Sequence, residues 1–181
     1  MQGNSKKSPH GYDYPYLPQH IEICTAPESH PFMAQAKEWA RMHSLDKQVP
    51  NTSVIVKGGL PCAIGANGSN FHSEKENIER YGPKGCRRVF LNAPTGQLYE
   101  ECEGCHPKNH GEPRALQDAL EKGVDVTGAE IYMWGHWWCC RWCCEKMEAA
   151  GIVRVYVTEN ADIDFNLKDP HNILGKQFNA H

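Results

Sequence analysis

The sequence has no apolar run of about eighteen residues, the length that a membrane-spanning helix requires. Its opening stretch, MQGNSKKSPHGYDYPYLPQH, also lacks the apolar segment of a signal peptide. We therefore expect a cytoplasmic protein with no membrane partner. The net charge of -3 offers no electrostatic attraction for long nucleic acid, so a polynucleotide partner is not expected.

Cysteine, in contrast, is abundant, with nine in 181 residues. Disulfides are rare in a reducing compartment, so clustered cysteines there indicate metal ligands. The hydrophobic content of 40% and charged content of 23% are typical of a globular protein. The length suits one domain with a sizeable core.

Hydrophobic periodicity predicts an α/β layered domain with helices packed on a sheet. The predicted order is helix, two strands joined at Gly58-Gly59, helix, strand, helix and strand. The corresponding segments are 29–44, 52–69, 112–123, 128–135, 140–151 and 152–159. Residues 1–28 form an irregular arm in this interpretation, residues 29–160 form the domain, and residues 161–181 form a polar tail. A loop-rich insertion is expected at 68–109.

A metal site is predicted from two motifs that lie thirty residues apart. His110-Gly-Glu112 and Cys140-Arg-Trp-Cys143 each fall at the start of a predicted helix. One imidazole and two thiolates supply three ligands to Zn²⁺ and leave a fourth tetrahedral position for water. Helix N-termini favour the thiolate form that binds metal.

Two further cysteines flank this pair. Cys139 has no second sulfur three residues later, and Cys144 points about 100° away from Cys143 around a helix. We expect Cys144 to face the core beside Met147, and Cys139 to be a packed loop thiol. Any one of these cysteines alone would be read more simply as a small buried hydrophobe.

His110-Gly-Glu112, Cys140-x-x-Cys143 and the following EKMEAAGIVRVYV together resemble the zinc-dependent cytidine and deoxycytidylate deaminase superfamily. GHWWCC and PTGQLYEECEGC resemble deoxycytidylate-deaminase-like proteins of phages and bacteria. The resemblance covers about residues 53–157. It departs from the family pattern at Cys139, where proline is usual, and at Pro113. Neither change removes a ligand.

The resemblance implies a cytidine-deaminase-like fold with a central mixed sheet, hydrolytic deamination of a cytosine ring and assembly as a homo-oligomer. One catalytic zinc per chain makes water nucleophilic, and Glu112 acts as base and then as acid. The implied substrate is a pyrimidine nucleotide, with dCMP converted to dUMP. The alternatives are a free nucleoside or base, an adenosine in tRNA, or a zinc-binding module without catalysis.

Substrate contacts are less sharply indicated. Asn67 follows a strand where related enzymes place an asparagine against the sugar, although an ordinary turn explains it equally well. Trp137 and Trp138 are candidates for stacking on the base, and His136 for a polar contact. The phosphate requires a cation, for which the sequence offers several unplaced candidates. These are Lys57, Arg87 and Arg88.

The insertion carries a second cysteine group. Cys86, Cys102, Cys105 and His106 would close a tetrahedron around a structural zinc, but free thiols are the favoured interpretation because the second pair of a ribbon motif is missing. A second His-x-Glu, at His72, lies too far from Cys140 to match the catalytic pattern. We expect it in a solvated segment without a zinc role.

Overall fold

The computed structural model describes residues 6–178. Five strands form one sheet in the order β1-β5-β4-β2-β3. β1, β5 and β4 run parallel, whereas β2 pairs antiparallel with both β4 and β3. The bounds are β1 Glu22–Ala26, β2 Thr52–Lys57, β3 Leu60–Ala66, β4 Glu130–Trp134 and β5 Arg154–Thr158. The predicted mixed sheet is confirmed.

Within residues 6–178, six α-helices connect or flank the strands. They are α1 Pro31–His43, α2 Lys75–Tyr81, α3 Arg87–Phe90, α4 Gly111–Glu121, α5 Arg141–Ala149 and α6 Ala161–Asp164. Four single 3₁₀ turns also lie in the insertion, at Phe71–Ser73, Tyr99–Glu101, Glu103–Cys105 and Pro107–Asn109. α1 packs on β2 and β4, and α4 packs on β3 and β2. Among residues 6–178, no helix combines the length and apolar character needed to cross a membrane.

The β2–β3 hairpin forms as predicted, because both glycines of its turn adopt positive φ. Gly58 lies at φ 59° and Gly59 at φ 79°, the combination that a two-residue type I′ turn requires. Every residue of β2 from Thr52 to Val56 is buried, so side chains on both faces of β2 are covered by protein, and Val54, Ile55 and Val56 form an apolar run rather than an alternating pattern.

α4 starts unusually close to the sheet, and two glycines allow it. A Cβ on Gly65 of β3 would overlap the backbone of α4 at Ala115. A Cβ on Gly111 would come within 2.5 Å of the Asn51 side-chain oxygen, which instead accepts a hydrogen bond from the Gly111 N–H at 3.2 Å. The first turn of α4 is therefore fixed against the end of the sheet.

The arm and the tail are both more structured than the sequence suggested. Within residues 1–28, β1 pairs in parallel with β5, for example Cys24 with Tyr156. This strand was missed because it is short and only Ala26 in it is buried. Residues 161–181 include α6 and the buried Phe165 and Leu174. The first five and last three residues of these segments lie outside the described part.

Candidate active site

The three predicted catalytic ligands meet where two helices begin. His110 directly precedes α4, and Cys140 directly precedes α5. The Cys143 N–H in the first turn of α5 donates to Cys140 Sγ at 3.4 Å. An N–H group that has no acceptor within the helix thus stabilises negative charge on this sulfur.

The separations of the ligand atoms match those around zinc. His110 Nδ1 lies 3.4 Å from Cys143 Sγ and 3.8 Å from Cys140 Sγ. Tetrahedral zinc, with Zn–N of about 2.0 Å and Zn–S of about 2.3 Å, requires about 3.5 Å between nitrogen and sulfur. Two sulfurs and one imidazole nitrogen are also donors that zinc prefers. The residues present therefore fit a zinc ion.

The orientation of His110 is set by its second ring nitrogen. Nε2 lies 3.0 Å from the Cys105 carbonyl oxygen, which can only accept a hydrogen bond. Nε2 therefore carries the proton, and Nδ1 presents a lone pair toward the two sulfurs. Metal-ligating histidines are typically oriented in this way.

The local electrostatics favour the thiolate form of Cys140. The hydrogen bond with the Cys143 side chain, together with the interaction with His110, lowers the pKa of Cys140 to about 5 against the opposing effect of burial. Burial, followed by the hydrogen bond with Cys140, raises the pKa of Cys143. Burial opposes charge on His110, but the interaction with Cys140 and the charge of Glu112 outweigh it and raise the His110 pKa. Cys140 is thus ready to bind metal as a thiolate at neutral pH.

Glu112 lies in the first turn of α4, two residues after His110. Its side chain is only 3% exposed and lines the same cavity as His110 and Cys140. No hydrogen bond joins its carboxylate to another residue in the described range 6–178. The carboxylate is therefore buried beside the ligands, yet available to a molecule in the cavity.

The cavity has a volume of about 320 Å³, within the lower range of small-ligand sites. It brings together all four substrate-contact candidates, which are Asn67, His136, Trp137 and Trp138. Asn67 directly follows β3, and its side-chain amide donates to the Val49 carbonyl at 2.8 Å. The pKa of His136 is lowered to about 4, first by burial and then by the charge of His110, so this imidazole is neutral at pH 7.

Both cavity tryptophans are buried. Trp137 stacks on Tyr14 of the N-terminal arm, with ring centroids 5.7 Å apart, and Trp138 packs edge-on against Trp137. The tryptophans form one wall of the cavity, and the arm supports that wall from behind. Neither Tyr14 nor this supporting role was indicated by the sequence.

Other parts of the wall were also missed. Tyr99 of the insertion lies edge-on to His110, with ring centroids 5.9 Å apart. Asn166 and Lys168 of the tail reach the cavity, as does Lys84 of the insertion. These residues share no motif with the metal ligands, so nothing in their spacing connects them to the site.

Only one of the three proposed phosphate-binding cations reaches the cavity. Arg88 lines it, while its guanidinium lies over the Tyr99 ring at 4.1 Å. Lys57 pairs with Asp125 at 3.0 Å, and Arg87 pairs with Glu101 at 2.9 Å. Neither of these two is among the residues that line the cavity.

Cys139 and Cys144 lie outside the ligand group, as expected. The Cys139 thiol faces Met133 Sδ at 3.9 Å. The Cys144 thiol faces the Cys139 carbonyl oxygen at 3.6 Å, and both cysteines are buried. They pack as small apolar side chains.

A second group of ligand atoms lies in the insertion, with a different histidine from the one proposed. His72, Cys86, Cys102 and Cys105 bring their donor atoms within 4.8 Å of one another. His106, the predicted fourth member, instead uses Nδ1 to accept the Lys108 N–H at 3.2 Å. The expectation of a solvated His72 was wrong, since this residue is 5% exposed. Each of the two donor groups could therefore hold a metal ion.

Three solved structures with a similar chain trace are distant in sequence. The dCMP deaminase from the cyanophage S-TIM5, in complex with dCMP and dUMP, is 20% identical with a TM-score of 0.45, and the match covers 78% of this chain and 91% of that one. A guanine deaminase from Bacillus subtilis is 18% identical with a TM-score of 0.42, over 72% of this chain and 63% of that one. A diaminohydroxyphosphoribosylaminopyrimidine deaminase/reductase from Thermotoga maritima is 22% identical with a TM-score of 0.40, over 70% of this chain and 28% of that one.

No curated protein sequence matches the chain. The family model described as the cytidine and deoxycytidylate deaminase zinc-binding region does match, over residues 27–159. This range includes Glu112 and both groups of candidate zinc ligands. The chain belongs to the cytidine and deoxycytidylate deaminase family.

Proposed function

We propose that this protein catalyses the zinc-dependent hydrolytic deamination of a cytosine nucleotide, dCMP to dUMP, with release of ammonia. The observation that carries the proposal is the position of Glu112. It places a buried carboxylate, free of protein hydrogen-bond partners within the described residues, beside three zinc-type ligands in one cavity. A purely structural metal site has no use for such a group.

His110, Cys140 and Cys143 would hold the metal. Three protein ligands are the number typical of catalytic zinc, whereas structural zinc is closed by four. When bound, zinc supplies Lewis-acid chemistry that makes water nucleophilic near neutral pH.

Glu112 would then carry the proton transfers. Its carboxylate accepts a proton from the attacking water and delivers it to the ring nitrogen. It then accepts the second proton from the new C4 hydroxyl, as the carbonyl forms, and passes it to the departing amino group. One water is consumed and one ammonia is released for each cytosine converted to uracil. A single carboxylate serves as base and then as acid, and the absence of a protein hydrogen-bond partner within the described residues leaves both of its oxygens available for these transfers.

The cavity wall supports a nucleotide as substrate. The indole wall of Trp137 and Trp138 suits the flat base, and the neutral His136 offers a polar contact beside it. Asn67 is the candidate for the sugar. Lys84, Arg88 and Lys168 line the same cavity and supply positive charge for a phosphate.

The decisive test is ammonia release from a panel of dCMP, CMP, cytidine, deoxycytidine, cytosine, adenosine and guanine, with zinc analysis of the same sample. The proposal expects the highest kcat/KM for dCMP. Preference for deoxycytidine or cytosine would favour a nucleoside or base deaminase. Turnover of none of them in zinc-loaded protein would favour a non-catalytic zinc module.

Phosphate recognition has its own matched variants. Lys84→Ala should raise KM for dCMP by about tenfold, because a charge-assisted hydrogen bond contributes about 1.5 kcal/mol or more. The same variant should leave KM for deoxycytidine unchanged. Arg87→Ala is the control, since Arg87 lies nearby but pairs with Glu101. An equal effect of Lys84→Ala on both substrates contradicts a phosphate contact.

Two further expectations belong to this proposal, a homo-oligomeric assembly implied by the family resemblance and the cytoplasmic location expected from the sequence. Light scattering coupled to size-exclusion chromatography tests the first, since a monomer has a mass of 20.4 kDa. Fractionation of cells tests the second.

A further inference from the structure

We propose that His72, Cys86, Cys102 and Cys105 hold a second, structural zinc, and that this ion positions the catalytic ligand His110 and the wall of the nucleotide cavity. The metal site stands on its own geometry. The consequence for turnover rests on the function proposed above.

The distances within the group fit a closed tetrahedral site. His72 Nε2 lies 3.4 Å from Cys102 Sγ and 3.6 Å from Cys105 Sγ. Cys86 Sγ lies 3.9 Å from Cys102 Sγ and 3.5 Å from Cys105 Sγ. Tetrahedral zinc requires about 3.5 Å between nitrogen and sulfur and about 3.8 Å between two sulfurs. A disulfide needs sulfurs about 2.05 Å apart, so these cysteines are not bridged in pairs.

The second nitrogen of His72 also has the partner expected of a metal ligand. Nδ1 lies 2.7 Å from Asp46 Oδ2, and the Asp46 side chain is buried with it. The carboxylate accepts a hydrogen bond from Nδ1–H, which leaves the lone pair of Nε2 directed at the sulfurs as a metal ligand. Carboxylate–histidine–zinc arrangements of this kind fix the ring and strengthen the ligand.

Two glycines make room for His72. A Cβ on Gly104, between Cys102 and Cys105, would lie 2.5 Å from His72 Nε2. A Cβ on Gly85, beside Cys86, would overlap the His72 backbone, and Gly85 has a positive φ of 57°. The two cysteine-bearing segments therefore approach His72 more closely than any larger residue would permit.

The first link between the two sites is Cys105. Its sulfur belongs to the second group, and its carbonyl oxygen accepts the hydrogen bond from His110 Nε2 at 3.0 Å. One residue thus belongs to one metal site through its side chain and orients a ligand of the other through its backbone. Fixing the Cys105 sulfur restrains the carbonyl that directs His110 Nδ1 toward Cys140 and Cys143.

The second link runs through Asp46 to the substrate side of the cavity. Asp46 Oδ1 accepts the Gln48 N–H at 2.9 Å and the Val49 N–H at 3.0 Å. The Val49 carbonyl in turn accepts the side-chain amide of Asn67. His72 therefore anchors the loop that holds the candidate sugar contact.

Metal content of the wild-type protein is the first test. Zinc-replete protein should hold two equivalents per chain. Cobalt substitution should give sulfur-to-cobalt charge-transfer absorption from five thiolates, two at one site and three at the other. One equivalent, or absorption from only two thiolates, overturns the second site without any variant being made.

Variants then test the ligand assignment. His72→Ala should reduce zinc to one equivalent, while His106→Ala and Cys24→Ser should retain two. Asp46→Asn is a milder change that keeps all four ligands. It should weaken binding of the second zinc by about 10- to 100-fold, as does loss of a residue that hydrogen-bonds to a metal ligand. Loss of zinc from His106→Ala, with retention in His72→Ala, overturns the assignment.

Chelator-driven release of the catalytic zinc tests the positioning role. The second zinc is absent from His72→Ala and can be removed from Asp46→Asn with a chelator. In both cases we expect the catalytic zinc to bind about 10- to 100-fold more weakly and to be released faster. Release at the wild-type rate overturns the positioning role. Two zinc equivalents with no deaminase activity would contradict the proposed function and leave the second site intact.

Discussion

Residues 139, 140, 143 and 144 are all cysteine and all buried, yet only two of their sulfurs lie beside His110. Consecutive residues on a helix differ by about 100°, so Cys144 cannot share the direction of Cys143. Cys140 occupies the cap position of α5, from which its sulfur turns back to the first-turn N–H of Cys143. Backbone geometry therefore determines that Cys140 and Cys143 face His110, whereas Cys139 and Cys144 pack in the core.

Zinc content should follow this division. Cys140→Ser is expected to remove the catalytic zinc, because hydroxyl oxygen is a poor substitute for thiolate at a site with three protein ligands. Cys144→Ser and Cys139→Ser should keep it. Metal analysis of the three purified variants measures this, and equal zinc loss from Cys144→Ser would exclude Cys140/Cys143 as the ligand pair.

Glu112→Gln should keep zinc and fold while losing turnover. The amide preserves the shape of the side chain but cannot accept a proton from the attacking water. General acid–base catalysis contributes about 10²- to 10⁴-fold, and kcat should fall at least that far because one residue carries several transfers. Steady-state ammonia release gives the comparison. Activity within about tenfold of wild type would place the acid–base role on another residue.

At the scale of single elements, α4 shows how a helix start tolerates an unusual residue. Pro113 follows Glu112 directly, where it could be expected to disturb the helix. It occupies the first turn, whose N–H groups have no intrahelical acceptor, so its missing N–H removes no helical bond. α4 runs without interruption from Gly111 to Glu121.

The short turn Glu103–Cys105 is the element on which the second site depends most closely. Gly104→Ala keeps all four proposed ligands but introduces a methyl group 2.5 Å from His72 Nε2. We expect the imidazole to be displaced and the second zinc to be bound at least tenfold more weakly. Competition with a zinc chelator measures the affinity.

Gly82→Ala provides the control for Gly104→Ala. Gly82 lies in the same insertion with a positive φ of 85°, and a Cβ there meets no atom within 4 Å. The Gly82→Ala substitution should introduce some backbone strain without weakening zinc binding. Equal zinc affinity in wild type and Gly104→Ala would contradict the close packing of this turn on His72.

At the scale of the whole molecule, the tail completes the domain. Phe165 is 5% exposed and meets Trp134 of β4 edge-on, with ring centroids 5.2 Å apart. Asn166 and Lys168 follow it into the cavity wall. The C-terminal residues thus connect the core to the active site, and the described part of residues 161–181 is not a detachable segment.

Phe165→Ala should lower the free energy of unfolding by about 3 kcal/mol or more, as removal of a buried aromatic ring does. Chemical denaturation of the zinc-loaded protein measures the change. Leu167→Ala is the matched neighbour, since Leu167 is 65% exposed, and its effect should stay within about 0.5 kcal/mol. Similar losses from both variants would contradict a core role for the tail.

The sequence by itself determined the features that depend on local spacing. The Gly58-Gly59 hairpin, the α/β order and the proximity of His110, Cys140 and Cys143 could be predicted because each uses a fixed interval or a helix start. The family resemblance then supplied the role that we propose for Glu112.

Only the tertiary structure decided which distant residues meet. The interval to Cys140 excludes His72 from the catalytic pattern, and His106 is the predicted fourth member of the second group. Folding of the insertion reverses that choice, since Gly85 and Gly104 let the cysteine-bearing turns close around His72 while His106 caps its own turn. β1 and Phe165 were missed for the same reason. Long-range packing places them, and no periodicity in the chain encodes their partners.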